Sequence, residues 1–171
     1  MLACSSVPKV SWEESPVQYW LEQRQFEFRA DYANPIDQTA ALLLRDLNQG
    51  IRGDSGGQIS LAGSTNYMRF RGDSIFVDLP YFGVRQIGGT YNTDVGIRYE
   101  GLMEDFRESE NEKKNRKTWQ FNLTADGERY QFFLNIYPNK TARLGMNSSE
   151  RQAINYQGSV YALEDMAETE R

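Results

Sequence analysis

Two alternating strands joined by a two-residue turn constrain this chain more than any other part of its sequence. They occupy residues 66–83, NYMRFRGDSIFVDLPYFG, with Gly72 and Asp73 as the turn. Gly72 supplies the positive φ that the first position of a type II′ turn requires, and apolar and polar residues alternate on both sides of it. A hairpin is therefore predicted, and its register sets these residues opposite one another: Phe70 and Ile75, Met68 and Val77, Arg69 and Phe76.

The second of these strands ends in a short aromatic turn. Pro80 cannot donate a backbone hydrogen bond to a sheet and Gly83 frees the backbone, so the two rings between them stand at the strand tip. Strand alternation directs Tyr81 inward and Phe82 away from the core, towards a glycine-rich stretch that begins near Arg85. We take Tyr81, Phe82 and Arg85 as candidate binding residues. The alternative is that both rings only pack the end of the domain.

The length and charge of the chain limit the number of its domains and the kinds of partner it can bind. It has 171 residues, of which 19 are basic and 24 acidic, and the net charge of -5 is spread along the sequence. A chain of this length forms one domain whose core needs no disulfide bonds. A mildly acidic surface argues against binding to nucleic acid or directly to an anionic membrane. Aromatic residues make up 13% of the chain, and in a β-rich domain they mostly fill the space between strands.

The absence of histidine removes the usual general base near neutral pH, the Ser-His triad and the commonest zinc ligand. A single cysteine excludes an internal disulfide and a thiolate cluster. We therefore predict no catalytic residue, no metal site and no cofactor. Carboxylates at Glu100, Glu104 and Asp105 leave one enzymatic alternative, a hydrolase that uses a carboxylate pair for acid–base chemistry.

The cysteine, Cys4, follows Leu2 and Ala3. A small residue before cysteine, preceded by leucine, resembles the cleavage box of bacterial lipoprotein signal peptides. A complete signal also needs a basic region and an apolar run of about 7 to 15 residues. We therefore expect the natural gene to extend upstream of Met1, with Cys4 as the lipidated N-terminus and residues 1–14 as a polar tether. An unmodified thiol in a tail is the alternative.

A helix is predicted at the start of the folded part of the chain. Ser15 can cap it and Pro16 fits its first position. Helical spacing places Trp20 and Leu21 on the face that contacts the core. From Gln25 the apolar period changes to that of a strand.

Strand patterns then recur to the end of the domain, which we place at residues 15–162 with a charged tail at 163–171. About nine strands are joined mostly by short turns, which predicts a mainly β fold, an antiparallel meander closed as a barrel or folded as a sandwich. Residues 39–48 fit either a second short helix or a buried strand. An Asp126-Gly127 turn predicts a second hairpin with three inward pairs: Leu123 and Tyr130, Phe121 and Phe132, Trp119 and Leu134.

Several short motifs resemble a known family. They are FEFRA at 26–30 followed by Asn34-Pro35, GDS at 72–74 leading into LPYFG at 79–83, TARL at 141–144, and RQAINYQG at 151–158. In combination they are similar to the Bacteroidetes lipoprotein family known as domain of unknown function 4251, over residues 26–160. The resemblance implies an exported lipoprotein with a β-rich domain, and it carries over no catalytic residue.

The predicted function is a non-catalytic binding module on the periplasmic side of the cell envelope, at the outer membrane. Its partner is expected to be a small ligand or another envelope protein, with no nucleic acid, and its membrane contact is expected only through the lipid anchor. Two alternatives stay open, namely the carboxylate hydrolase and a structural component of an envelope complex.

Overall fold

The computed structural model describes four parts of the chain: residues 10–36, 53–54, 58–83 and 96–163. The predictions for Cys4, for residues 39–48 and for Arg85 lie outside the described residues.

Helix α1 spans Pro16–Gln23, as the sequence predicts. The Ser15 hydroxyl accepts a hydrogen bond from the Val17 N–H at 3.2 Å and donates one to the Pro138 carbonyl, so the cap also connects the helix to the turn that contains Pro138. Within the described residues, no helix is long and apolar enough to cross a membrane. The helix packs on the core through three side chains, two buried and the last half-buried: Val17, Leu21 and Trp20.

The described residues also contain eleven strands, and all the strand pairs are antiparallel. Their bounds are β1 Gln25–Pro35, β2 Gly53–Asp54, β3 Gln58–Ser60, β4 Tyr67–Arg71, β5 Ser74–Leu79, β6 Ile97–Leu102, β7 Glu104–Asn111, β8 Arg116–Ala125, β9 Glu128–Ile136, β10 Thr141–Ser148 and β11 Ile154–Ala162.

Nine of these strands form a nearly closed barrel in the order β6-β5-β4-β1-β11-β10-β9-β8-β7, and β2 and β3 are a small addition beside β1. Strand β1 lies between β4 and the last strand, β11, so the meander closes on its own beginning. Only one residue, Met103, separates β6 from β7. Strand β6 pairs with β5, and strand β7 pairs with β8. The predicted antiparallel meander is confirmed, and it forms a nearly closed, barrel-like sheet with β6 and β7 at its two edges.

Both predicted hairpins have the predicted register. Gly72 has a φ of 62°, and every predicted pair of β4 and β5 is present. In the turn between β8 and β9, Asp126 and Gly127 have φ values of 53° and 81°, the pattern of a type I′ turn. The three inward pairs predicted for that hairpin are also confirmed. Turn chemistry and strand alternation were therefore sufficient to set the local pairing.

Aromatic rings fill the barrel interior. Trp119 is fully buried, and its ring centroid is 5.0 Å from that of Phe26 and 5.3 Å from that of Phe70. Phe26 and Phe70 stack on each other with centroids 4.5 Å apart. Phe121 meets Phe70 edge-on at 5.7 Å and stacks on Phe132 at 5.4 Å. The predicted role of the aromatic residues as filling between strands is confirmed, and no ligand can occupy the space that these rings take up.

Candidate functional site

One end of the barrel is closed by contacts between the aromatic turn after β5 and the start of β11. The Tyr81 hydroxyl donates a hydrogen bond to the Gln152 carbonyl at 2.9 Å. The Tyr156 hydroxyl donates one to the Pro80 carbonyl at 2.7 Å. Two hydroxyls therefore link the two segments in opposite directions.

A buried ion pair belongs to the same end of the barrel. The Arg151 Nε donates to both carboxylate oxygens of Glu128 at 3.1 Å, and the two side chains are only 11% and 3% exposed. The Arg151 guanidinium also lies over the rings of Tyr81 and Tyr130, at 5.2 and 5.8 Å from their centroids. We call this set of residues the end closure: Pro80, Tyr81, Glu128, Arg151, Gln152 and Tyr156.

Burial controls the protonation of both tyrosine hydroxyls in the end closure. It raises the pKa of Tyr81 to about 12, although the nearby charge of Arg151 opposes the effect. Burial also raises the pKa of Tyr156, with a smaller contribution from Tyr81. Both hydroxyls therefore stay protonated near neutral pH, and they serve as hydrogen-bond donors rather than as bases.

We expect the domain to lose stability as the pH rises from 10.0 to about 12. In that interval the unfolded chain releases the Tyr81 proton while the folded domain retains it, so the unfolding free energy falls as pH increases. Tyr81→Phe removes this proton and should make the fall shallower. Urea unfolding at a series of pH values measures the slope, with Tyr19→Phe as the control because Tyr19 is exposed. An unchanged slope in Tyr81→Phe would contradict this assignment.

The three candidate binding residues have different outcomes. Tyr81 points inward, as strand alternation predicts, and is 3% exposed. Phe82 does not turn away from the core but packs half-buried against it, because β5 ends at Leu79 and strict alternation stops there. Arg85 lies outside the described residues. Tyr81 contacts Gln152 and Arg151 at the end of the strand, and its binding role stays a prediction.

A polar groove lies on the outer face of the barrel. Asn122 on β8, Gln131 on β9 and Asn147 on β10 stand directly opposite one another in register, so their amide side chains form a row across three strands. The groove that they line has a volume of about 260 Å³. We call it the outer groove, and its lining residues are Asn122, Arg129, Gln131, Asn147, Ser148 and Ser149.

Asp105 orients one side of the outer groove. It lies in an irregularity of β7 between Glu104 and Arg107, with a φ of 51°, and bulges of this kind redirect a side chain across a sheet. Its Oδ2 accepts hydrogen bonds from the Asn122 Nδ2 at 2.8 Å and from the Arg129 Nη2 at 2.9 Å. The carbonyl oxygen of the Asn122 amide is thereby left as an acceptor, and the charge of Arg129 is balanced.

The carboxylates of the hydrolase alternative lie on two strands, β6 and β7. Asp105 holds Asn122 and Arg129, and Glu104 accepts a hydrogen bond from the Thr124 hydroxyl at 3.3 Å. Glu100 is exposed on β6. In the part of the chain that the structure describes, no three His, Cys, Asp or Glu side chains are grouped to hold a metal ion.

The comparisons with known proteins decide the family. The model of a domain of unknown function, DUF4251, matches residues 11–160. The chain belongs to the DUF4251 family. The crystal structure of a DUF4251 family protein from Bacteroides eggerthii DSM 20697 is similar to this DUF4251 domain, with a TM-score of 0.56 and 15% sequence identity, over 89% of this chain and 92% of that one. At that identity the likeness concerns the fold. No functionally curated protein matches the domain.

Two of the motifs that carried the family resemblance meet in the end closure of this DUF4251 domain. The LPYFG segment supplies Pro80 and Tyr81, and the later RQAINYQG segment supplies Arg151, Gln152 and Tyr156. Segments that are some 70 residues apart in sequence are thus in direct contact. Two of the family motifs therefore close the barrel, and their residues differ from those of the outer groove.

Sequence reasoning missed the outer groove. Its signal was present in the second predicted hairpin, whose inward pairs imply that Asn122 and Gln131 face outward and opposite each other. The contribution of Asn147 depends on the pairing of β9 with β10, and that of Asp105 depends on the irregularity in β7. No turn dipeptide and no apolar period in the sequence indicates the pairing of β9 with β10 or the irregularity in β7.

Proposed function

We propose that this DUF4251 domain is a non-catalytic binding module that holds a small polar ligand in the outer groove. The observation that carries the proposal is the row of amides from Asn122, Gln131 and Asn147, set in register across three strands. Sheet pairing fixes the spacing of these groups, so the site needs little reorganisation to bind. Because the groove is on the outer surface, a ligand can enter it without any movement of the barrel strands.

The packing of the domain supports a surface site over an internal one. Trp119 and its aromatic neighbours occupy the barrel interior. The end closure is occupied by its own hydrogen bonds and by the pair of Glu128 and Arg151. Polar groups that are arranged around open space are instead found on the outer face of β8, β9 and β10.

Binding in the outer groove can be tested with a panel of neutral sugars, amino acids, dipeptides and nucleosides. We expect at least one compound to raise the melting temperature of the wild-type domain and to have no such effect on Gln131→Ala. Gln157→Ala is the matched control, because Gln157 is an exposed glutamine on β11 outside the groove lining. The proposal fails if no compound acts, or if Gln131→Ala responds like the wild type. Turnover of a compound would favour the carboxylate hydrolase instead.

We further propose that the domain works on the periplasmic side of the cell envelope, anchored to the outer membrane through lipidated Cys4. The support is the Leu2-Ala3-Cys4 pattern together with membership of the DUF4251 family. A mature lipoprotein carries several acyl chains, which anchor far more firmly than one chain does.

Expressed in its own host from its own gene, the Cys4→Ala variant should leave the membrane fraction and appear in the soluble fraction. Quantitative blotting of the two fractions measures the change. Ser5→Ala is the control, since it alters the neighbouring residue and leaves the thiol in place. Unchanged fractionation of Cys4→Ala would defeat the localisation that we propose.

A further inference from the structure

The outer groove carries a balanced charge. Among its described lining residues, Arg129 alone is charged, and its guanidinium meets the Asp105 carboxylate at 2.9 Å. An anionic ligand would compete with Asp105 for this cation, and a cationic ligand would meet the guanidinium itself. The site therefore favours a neutral ligand.

The remaining lining groups both donate and accept hydrogen bonds. Those open to a ligand are the amides of Asn122, Gln131 and Asn147 and the hydroxyl of Ser149. The Ser148 hydroxyl already donates to the Glu128 carboxylate and accepts from the backbone N–H groups of Glu150 and Arg151. An amide offers a carbonyl oxygen and an NH₂ group, and a hydroxyl offers one donor and two acceptor positions. A ligand that matches them needs several adjacent groups of the same dual character. The ring hydroxyls of a sugar have this character.

An aromatic ring adjoins the row of amides. Phe133 follows Gln131 by two residues on β9, so it lies on the same outer face, about 7 Å along the strand. It is half-buried, and its partner on β10 is Gly145, which has no side chain of its own and lies beneath the side chain of Asn155. The part of this ring that reaches the surface can accept the apolar C–H face of a sugar ring beside the hydrogen-bonding groups.

From these three observations we infer that the outer groove binds a neutral saccharide, with one sugar ring among the amides and contact to Phe133. This inference rests on the proposed binding function and names its ligand class. The groove volume of about 260 Å³ is smaller than the roughly 300–1,000 Å³ of sites for drug-sized ligands. It suits one ring of a short saccharide, whose other rings would extend over the sheet.

The test is a titration of the full chain with neutral mono- to tetrasaccharides of gluco, galacto and manno configuration. Nuclear magnetic resonance spectra record the backbone amide signals of the protein at each step. We expect saturable shifts of residues in β8, β9 and β10 with at least one saccharide. Gln131→Ala and Phe133→Ala should each weaken that binding by tenfold or more, and Gln157→Ala should leave it unchanged. The corresponding hexuronate should bind more weakly, because Asp105 already occupies Arg129.

Saturable shifts that are equal in wild type and in both groove variants would overturn the inference, and so would the absence of shifts with every saccharide. Melting curves of the variants show whether a loss of binding reflects unfolding, and Gln131→Asn is a milder second variant that retains the amide. If a compound other than a sugar binds through Gln131 while the saccharides do not, the saccharide inference fails and the proposed binding function stands. If nothing binds in the groove, both fail.

Discussion

Replacing Trp119 with alanine should lower the unfolding free energy by about 3 to 5 kcal/mol, the cost of removing a large aromatic side chain from a core. Trp119 is fully buried and contacts three other rings, those of Phe26, Phe70 and Phe106. Because these neighbours belong to β1, β4 and β7, the cavity would open between strands that are distant in sequence. Urea unfolding followed by far-ultraviolet circular dichroism measures the change. A total stability of roughly 5 to 15 kcal/mol is usual, so a large share of it would be lost.

Two further variants make this prediction specific. Trp20→Ala removes the same side chain from a half-buried position on helix α1 and should cost clearly less. Trp119→Phe should also cost less than Trp119→Ala, since a ring remains. The indole Nε1 of Trp119 has no hydrogen-bond partner among the described residues, so its removal forfeits no such bond. A cost for Trp119→Ala no greater than that for Trp20→Ala would show that the barrel interior is not packed in this way.

Arg151→Met should destabilise the domain by about 3 to 5 kcal/mol, because it leaves the carboxylate of Glu128 buried without its cation. The pair is almost inaccessible, with side chains 11% and 3% exposed. The chain contains its own matched control in Arg129, whose side chain and that of its partner Asp105 are 59% and 61% exposed. Arg129→Met should cost at most about 1 kcal/mol, as is usual for exposed ion pairs. Chemical unfolding of both variants under the same conditions gives the comparison.

The double variant Arg151→Met/Glu128→Gln separates the loss of the ion-pair attraction from the cost of keeping a negative charge buried without Arg151. Removing both charges should restore much of the stability that Arg151→Met loses, because most of that loss comes from the buried charge of Glu128. Equal costs for Arg151→Met and Arg129→Met would instead mean that water reaches Glu128 in the folded domain.

Local patterns were enough for much of the fold. The alternation on each side of Gly72 and of Gly127 determined both hairpin registers, since a shift by one residue would turn the apolar side chains to the solvent. The cap at Ser15 and the proline after it located helix α1 for the same reason, because the required groups are adjacent in sequence.

The buried charges were beyond this kind of reasoning. Glu128 follows a turn and lies on the inward face with Tyr130 and Phe132, and its ion-pair partner, Arg151, is 23 residues later. Glu27 stands on the outward side of β1 but is 4% exposed, because Arg29 and Arg69 both donate to its carboxylate. In each case the partner of the buried carboxylate is a long side chain from another position, which hydrophobic periodicity does not record. The outer groove is the same kind of feature, since its row of amides needs three strands in register.

The alternation along β8, β9 and β10 separates two kinds of evolutionary constraint. Inward residues such as Phe132 and Leu144 support the barrel, and outward residues such as Gln131 and Asn147 line the groove. A lineage can therefore exchange the outward set, and with it the preferred ligand, without repacking the interior. Ser148 is different because it lines the groove while its hydroxyl bonds to the carboxylate of Glu128. Selection for a new ligand and selection for a folded domain therefore act together on that position.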